Sequence, residues 1–268
     1  MIETAAEYIR MQIGSRRPET AVILGSGLGA LGDEITAPVV IPYQNIPGFP
    51  QSTVAGHKGC LIAGRLEGRD ILCMQGRIHL YEGHNPRDIN LIIKVFQSLG
   101  IKNLIVTNAA GSLDYDMPPG SIMLIKDHIN FSGRNPLIGS NDERYGPRFP
   151  DVSEAYTPEY RTKARQIAET LGIPLFEGVY LMVLGPNFET AAEIKAFRIL
   201  GADAVGMSTV PEVICAAHSG IKVLGFSVIT NFGTGMQSGA QSHQETLAQA
   251  ANAAQKLTSL VKTFIREN

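Results

Sequence analysis

Arg77, His79 and Tyr81 stand at alternate positions in Met74-Gln75-Gly76-Arg77-Ile78-His79-Leu80-Tyr81-Glu82-Gly83. An arginine fork with a histidine beside it suits a phosphate-sized dianion. A tyrosine next to an anion site suits a sugar, because it offers an apolar flank and one hydroxyl. The preceding run, Asp70 to Met74, reads as a strand. If the strand continues to Tyr81, the period of two puts all three side chains on one face. Taken alone, these residues fit an ordinary exposed strand face as well.

Other groups add to this set. Gly25-Ser26-Gly27-Leu28-Gly29-Ala30 follows a short apolar run. Gly25-x-Gly27-x-x-Ala30 could begin a dinucleotide fingerprint, but that needs an acidic residue about 20 positions on. The region there reads Tyr43-Gln44-Asn45-Ile46-Pro47. A turn that presents backbone N–H groups and the Ser26 hydroxyl to a free phosphate fits better; a tight turn without a ligand also fits. His57, between Gly56 and Gly59, could join the anion site or lie in a surface loop. Phe188-Glu189 pairs an aromatic face with a carboxylate, which can bind a flat heterocycle carrying N–H donors, although a carboxylate before a helix is favourable on dipole grounds alone. His243, just after Ser242, could hold a hydroxyl or serve as ordinary helix-start polarity. His84, His128 and His218 read as structural. The six histidines show no H-E-x-x-H or similar spacing, so no metal is expected.

These groups must be carried by regular elements. Thr4-x-x-Glu7 reads as a capping box for a first helix to about Ile13. Ala21 to Leu24 is a buried strand, and Pro38 to Ile41 another. Cys60 to Arg65 and Asp70 to Met74 form a hairpin around Glu67-Gly68. Pro86 to Leu99 is a helix between a proline start and Gly100. Strands follow at Leu104 to Val106, ending in Thr107 to Gly111, and at Ile122 to Ile125. Residues 130–157 are a long polar loop of the kind that is functional or an interface. Helices at Pro158 to Leu171, from the Thr190-x-x-Glu193 cap to near Gly201, and at Pro211 to His218 alternate with strands at Glu177 to Leu184, Ala204-Val205 and Val223 to Ile229. Ser242-x-x-Glu245 caps a long final helix. The alternation predicts an α/β fold over 1–268 as a single domain, with a mostly parallel mixed central sheet and helices on both faces. Ligands in such sheets sit at strand C-termini, and Ser26, Ala109, Ser208 and Asn231 all fall at such ends.

The bulk composition excludes other classes. The chain has 268 residues, 44% hydrophobic and 18% charged, with net charge −2. No basic excess points to nucleic acid, and no apolar run is long enough for a membrane span. The three scattered cysteines form no C-x-x-C pair, which fits reduced core thiols in the cytoplasm.

With these pieces assembled, the chain resembles the trimeric class of purine nucleoside phosphorylases over almost its whole length. The likeness covers Gly25 to Gly29, Gly56-His57, Met74 to Gly83, Thr107 to Gly111, Asn141 to Arg144, Gly185 to Thr190, Gly206 to Glu212 and Thr230-Asn231. It implies reversible phosphorolysis of a purine (2′-deoxy)ribonucleoside such as inosine or guanosine, without cofactor. It places phosphate at Ser26, His57, Arg77, His79, the Ala109 backbone and Ser208. Ribose would lie against Tyr81 and Met207, with His243 on its 5′-hydroxyl and Phe149 reaching in from a neighbouring subunit of a homotrimer. The base would meet Phe188, Glu189, Val205 and Asn231. Among these, Asn231, His79, Glu189 and His243 would act in catalysis. Asn187 and Ser112 depart from the usual serine and glycine, and the loop Phe232 to Gly239 is unusually rich in glycine.

Two rivals remain at this stage. A methylthioadenosine phosphorylase would share the fold, but that class usually has aspartate at Asn231 and an apolar residue in place of His243. A nucleoside-binding protein without turnover would need no phosphate subsite, so the intact set Arg77, His79, Ser208 and Asn231 counts against it.

Overall fold

The computed structural model describes residues 1–25, 29–54, 58–237 and 243–268, the last segment without the side chains of 243–250 and 252. Ser26, His57, the side chain of His243 and the Ser242–Glu245 cap lie outside the described residues.

The apolar run Ala21 to Leu24 is buried on both faces, as a central parallel strand requires. It forms β1 (Thr20–Leu24), between β4 (Arg69–Gln75) and β5 (Asn103–Ser112) and parallel to both. β4 is the second arm of the expected hairpin with β3 (Cys60–Leu66). Glu67 and Gly68 join them with φ 52° and 79°, the two positive values that a tight hairpin turn needs. β2 (Thr36–Pro42) adds an antiparallel edge whose ladder shifts register between Thr36 and Val39, around Pro38.

Beyond β5 the sheet closes on itself. β9 (Lys222–Phe232) pairs in parallel with β5 along its length. β8 (Ala204–Gly206) pairs antiparallel with the far end of β5 at Gly111 and Ser112. From β8 the ladder runs through β7 (Leu175–Met182) and β6 (Ile122–Asn130) back to β9. β5, β8, β7, β6 and β9 thus make a ring, and β1 to β4 extend from it in a sheet of nine strands.

Alternation along the strands divides the core. Ala21, Ile23, Leu104 and Val106 face a cluster supplied by α1 (Ile2–Ile13), α3 (Pro86–Leu99) and α6 (Val210–His218). Val22, Leu24, Ile105, Leu224 and Phe226 face α4 (Pro158–Thr170) and α7 (His243–Glu267). α5 (Ala191–Ile199) covers the end of the ring with Ile194 and Phe197. One short turn, α2 (Ala30–Asp33), completes the described α-helices. None of them is long and apolar enough to cross a membrane.

Three expectations change. α1 begins at Ile2, capped by Met1, so Thr4 and Glu7 lie inside the helix and form no capping box; the buried stripe Ala5, Ala6 and Ile9 already requires helix there. β5 does not stop at Val106, because pairing with β9 carries it through Thr107 to Gly111 and on to Ser112. β6 likewise continues past Ile125 to Asn130 against β7. As expected, residues 131–157 form no helix or strand.

Leu260 of α7 is fully buried among Leu257, Val261 and Phe264. Leu260→Ala should lower the unfolding free energy by about 2–5 kcal/mol, read by urea titration. A shift below ~1 kcal/mol would show that α7 is not docked as described.

Candidate active site

The geometry of β5 opens the site. β9 occupies one edge of β5 throughout, so β1 and β8 must share the other. β1 leaves it at Val106 and β8 joins it at Gly111. Between those points the edge has no strand partner among the described residues. Such a split is where α/β sheets accept ligands. Ala109 lies within this gap, in mid-strand, and not at a strand end as the sequence pattern suggested.

Thr107 ties the surroundings of the gap together. Its hydroxyl donates to Ile23 O at 3.2 Å and accepts from Gly25 N at 3.1 Å. A Cβ on Gly25 would stand 2.6 Å from Thr107 O, so only glycine fits against β5 at this distance. The same carbonyl accepts from Arg77 Nη1 at 2.7 Å.

Arg77 does not lie on an extension of β4. The strand ends at Gln75, and Gly76 turns the chain at φ 121°, a value that favours glycine. Leu80–Glu82 is a single 3₁₀ turn. The shared face expected for Arg77, His79 and Tyr81 is therefore replaced by two separate placements. Arg77 turns inward and is 1% exposed. Its Nε donates to Glu212 Oε1 at 2.7 Å and its Nη1 also donates to Ser208 Oγ at 3.2 Å. His79 and Tyr81 stack on each other, ring centres 4.7 Å apart and 17° from coplanar.

Glu82 fixes the histidine. Its Oε1 accepts from His79 N at 2.7 Å and lies 3.3 Å from His79 Nδ1. Its Oε2 accepts from Thr53 N at 2.5 Å and from Thr53 Oγ1 at 2.7 Å. Burial pushes the Glu82 carboxyl up, but the bonds from His79 and Thr53 outweigh it and hold the group at about 2. An ionised carboxylate facing Nδ1 keeps the proton on that nitrogen. Burial, then Glu82, raises the Tyr81 hydroxyl to about 12, so it stays a neutral donor.

Ser208 and Thr209 connect β8 to α6. Thr209 has φ 74° and ψ −48°, a strained conformation for a β-branched residue. Asn108 Nδ2 donates to its hydroxyl at 2.9 Å, and Ser208 Oγ lies 3.1 Å from that hydroxyl. Ser208 N donates to Tyr180 Oη at 3.3 Å.

The candidate base residues are arranged by strand register. Gly111 is opposite Val205 on one side and Asn231 on the other. A Cβ on Gly111 would meet Asn231 Nδ2 at 3.1 Å and Val205 Cγ1 at 3.6 Å, so both side chains lie over this glycine. The Asn231 oxygen accepts from Thr230 Oγ1 at 2.7 Å and its amide donates to Phe232 O at 3.0 Å. Met207 packs on Gly185, where a Cβ would stand 2.4 Å from its sulfur. The chain leads from there to Phe188, half exposed, and Glu189, whose carboxyl is raised by burial. Asn187 donates to Phe188 O, and the Ser112 hydroxyl donates to Asp114 O in the turn after β5.

Phe149 is not part of this cluster. Its ring is 88% exposed, beside the Arg148 guanidinium. The structural histidines pair as such: His84 with Gln51 O, His128 with Tyr156 Oη and His218 with Asn141 Oδ1.

The phosphorylase superfamily model matches residues 19–266. Purine nucleoside phosphorylase 1 of Bacillus subtilis is 46% identical over 99% of this chain and 98% of its own. The rat purine nucleoside phosphorylase is 50% identical over 98% and 93%. The chain belongs to the purine nucleoside phosphorylases of that superfamily. A crystal structure of the Schistosoma mansoni purine nucleoside phosphorylase in complex with inosine superposes with TM-score 0.94, at 40% identity, over all of this chain and 96% of that one.

Sequence reading of this phosphorylase missed the residues that hold the candidates in place: Thr53, Glu82, Thr107, Asn108 and Glu212. Only Glu82, three positions after His79, left a local signal. Its acid behaviour is a direct test. The usual carboxyl value is 4.5 and the folded one about 2. Ionised Glu82 therefore adds stability that is complete above pH about 4.5 and is lost as pH falls toward 2. Glu82→Gln should lose less unfolding free energy than wild type across that window in denaturant titrations; parallel curves would contradict the assigned bonds.

Proposed function

We propose that this phosphorylase carries out reversible phosphorolysis of purine (2′-deoxy)ribonucleosides, giving free base and (deoxy)ribose 1-phosphate. The observation that carries the reading is the buried Arg77, tied to Thr107 and Ser208 at the gap in β5, one short stretch of strand away from the Asn231–Gly111–Val205 row. An anion and a heterocycle bound at these two places would have a pentose between them.

In this reading Arg77, His79, Ser208 and the Ala109 backbone, with Ser26 and His57, hold phosphate. Tyr81, Met207 and His243 hold the sugar. Phe188, Glu189, Val205 and Asn231 hold the base. The C1′–N9 bond breaks as a phosphate oxygen bonds to C1′ from the opposite face, with inversion and no covalent enzyme intermediate. The bond's electron pair leaves with the base. Asn231 donates toward N7 as negative charge grows there, a preorganised stabilisation of the departing group. The residues act by placing two reactants and by electrostatics. No cofactor or metal enters the scheme.

Base choice follows from the same groups. An ionised Glu189 accepts from N1–H, which hypoxanthine and guanine carry and adenine lacks. The Asn231 amide can donate toward O6 and N7, whereas adenine offers a 6-amino donor. Leaving buried polar groups unpaired discriminates by roughly 10⁴-fold. We further propose that 1–268 works as one domain in the cytoplasm, where its three buried free thiols stay reduced, and as a homotrimer in which the exposed Phe149 covers a neighbour's ribose site.

The deciding assay is base release from inosine with and without phosphate. Release should require phosphate and yield ribose 1-phosphate in equal amount; phosphate-independent release would overturn the reading. For base choice, Asn231→Asp should raise kcat/KM for adenosine relative to inosine, and an unmoved ratio would remove Asn231 from the base. For assembly, light scattering should report a trimer, and Phe149→Ala should lower kcat/KM while the trimer persists. An active monomer would rule out the shared site.

A further inference from the structure

The sequence Thr-x-x-Glu opens two helices of this chain, and the two behave differently. At α5, Thr190 and Glu193 form the reciprocal capping box: Thr190 Oγ1 accepts from Glu193 N at 3.2 Å and Glu193 Oε2 accepts from Thr190 N at 2.7 Å. At α6, Thr209 caps with its backbone only, and its side chain makes no cap bond. Its hydroxyl is taken by Asn108 and Ser208. Glu212, at the position of Glu193, does not reach back to the helix start. It reaches Arg77, 135 residues earlier in the chain, and is 4% exposed. The helix forgoes both halves of its cap, and the carboxylate is directed at one guanidinium.

The surroundings allow Glu212 no alternative anchor among the described residues. Its Oε2 has no hydrogen-bond partner there. A void of about 10 Å³ lies against the pair, walled by Ile23, Met74, Ile78, Ile89 and Ile92. Glu212 Oε1 on Nε and Thr107 O on Nη1 approach different edges of a planar group. Two acceptors so placed fix its plane as well as its position.

The geometry points to Glu212 as a positioning residue for the anion subsite, holding Arg77 in the orientation in which its fork meets phosphate. The inference rests on the phosphorolytic reading above. Glu212 touches no reacting atom in this scheme; it acts through Arg77.

Three substitutions separate positioning from charge balance. Glu212→Ala removes the anchor. Glu212→Asp keeps the charge but is one methylene short. Glu212→Gln loses the charge but keeps an acceptor at full reach. Positioning predicts that Ala and Asp raise the KM for phosphate about tenfold or more, leave the KM for inosine nearly unchanged, and that Gln recovers most of the loss. If phosphate and inosine KM move together, or if Asp matches wild type while Gln fails, the proposal is overturned. The Asp and Gln pair decides the matter even if the Ala variant does not fold. In an Arg77→Ala background, Glu212→Asp should add no further loss, and an added loss would likewise overturn the route through Arg77. Calorimetric titration of phosphate into the same proteins should give the same ranking in Kd without turnover. Failure of the phosphorolytic reading, seen as phosphate-independent base release by wild type, is thereby distinguished from failure of this one.

Discussion

A β-strand has two edges, and β5 has three partners. β9 takes one edge for its whole length, so β1 and β8 divide the other and cannot meet. The interval between Val106 and Gly111 is the consequence, and the candidate chemistry borders it. Backbone polar groups on that interval are not consumed by a neighbouring strand, which makes them available to side chains and ligands. The Thr107 carbonyl goes to Arg77. The ring closure that β9 and β6 provide keeps the divided strand from fraying, because the other edge stays fully paired.

Charge burial around this gap is arranged in pairs. Arg77 is matched by Glu212, and His79 faces Glu82. A buried ion alone would cost several kcal/mol or shift to its neutral form. Paired, each buried polar group has an oppositely polar partner within hydrogen-bond reach. The strain at Thr209 belongs to the same arrangement. Its backbone is held in an unfavourable region by a side chain bonded to Asn108, and this lets Ser208 and Glu212 approach Arg77 from adjacent turns of chain.

Much of this was legible in the sequence, where the cause was local. α3 runs from Pro86 to Leu99 because proline starts it and Gly100 ends it, both signals within or beside the segment itself. The β3–β4 turn was readable for the same reason. The types of the candidate residues were readable too, an arginine and a histidine in one stretch and a carboxylate and an amide in others, and the roles proposed for them rest on those types. What was not legible depended on distant partners. Nothing between Arg77 and Tyr81 reveals that Gly76 breaks the strand, since the alternation continues past it. The extension of β5 is set by β9, more than a hundred residues on. The partner of Glu212 lies 135 residues away, and its own neighbourhood reads as a helix cap.

The two halves of the site are built from different materials. At the proposed base site, Val205, Gly111 and Asn231 stand on hydrogen-bonded ladders whose backbone is held by its own pairing. A side chain there can be exchanged without loosening the frame that carries it. Around the proposed anion site, the frame is the side chains themselves: Thr107, Glu212, Asn108 and Glu82 bond to one another's neighbours and to Arg77 and His79. A substitution there alters position and charge together. In the proposed assignment the leaving group therefore meets side chains carried on a self-supporting backbone, whereas the nucleophile meets side chains that are their own support.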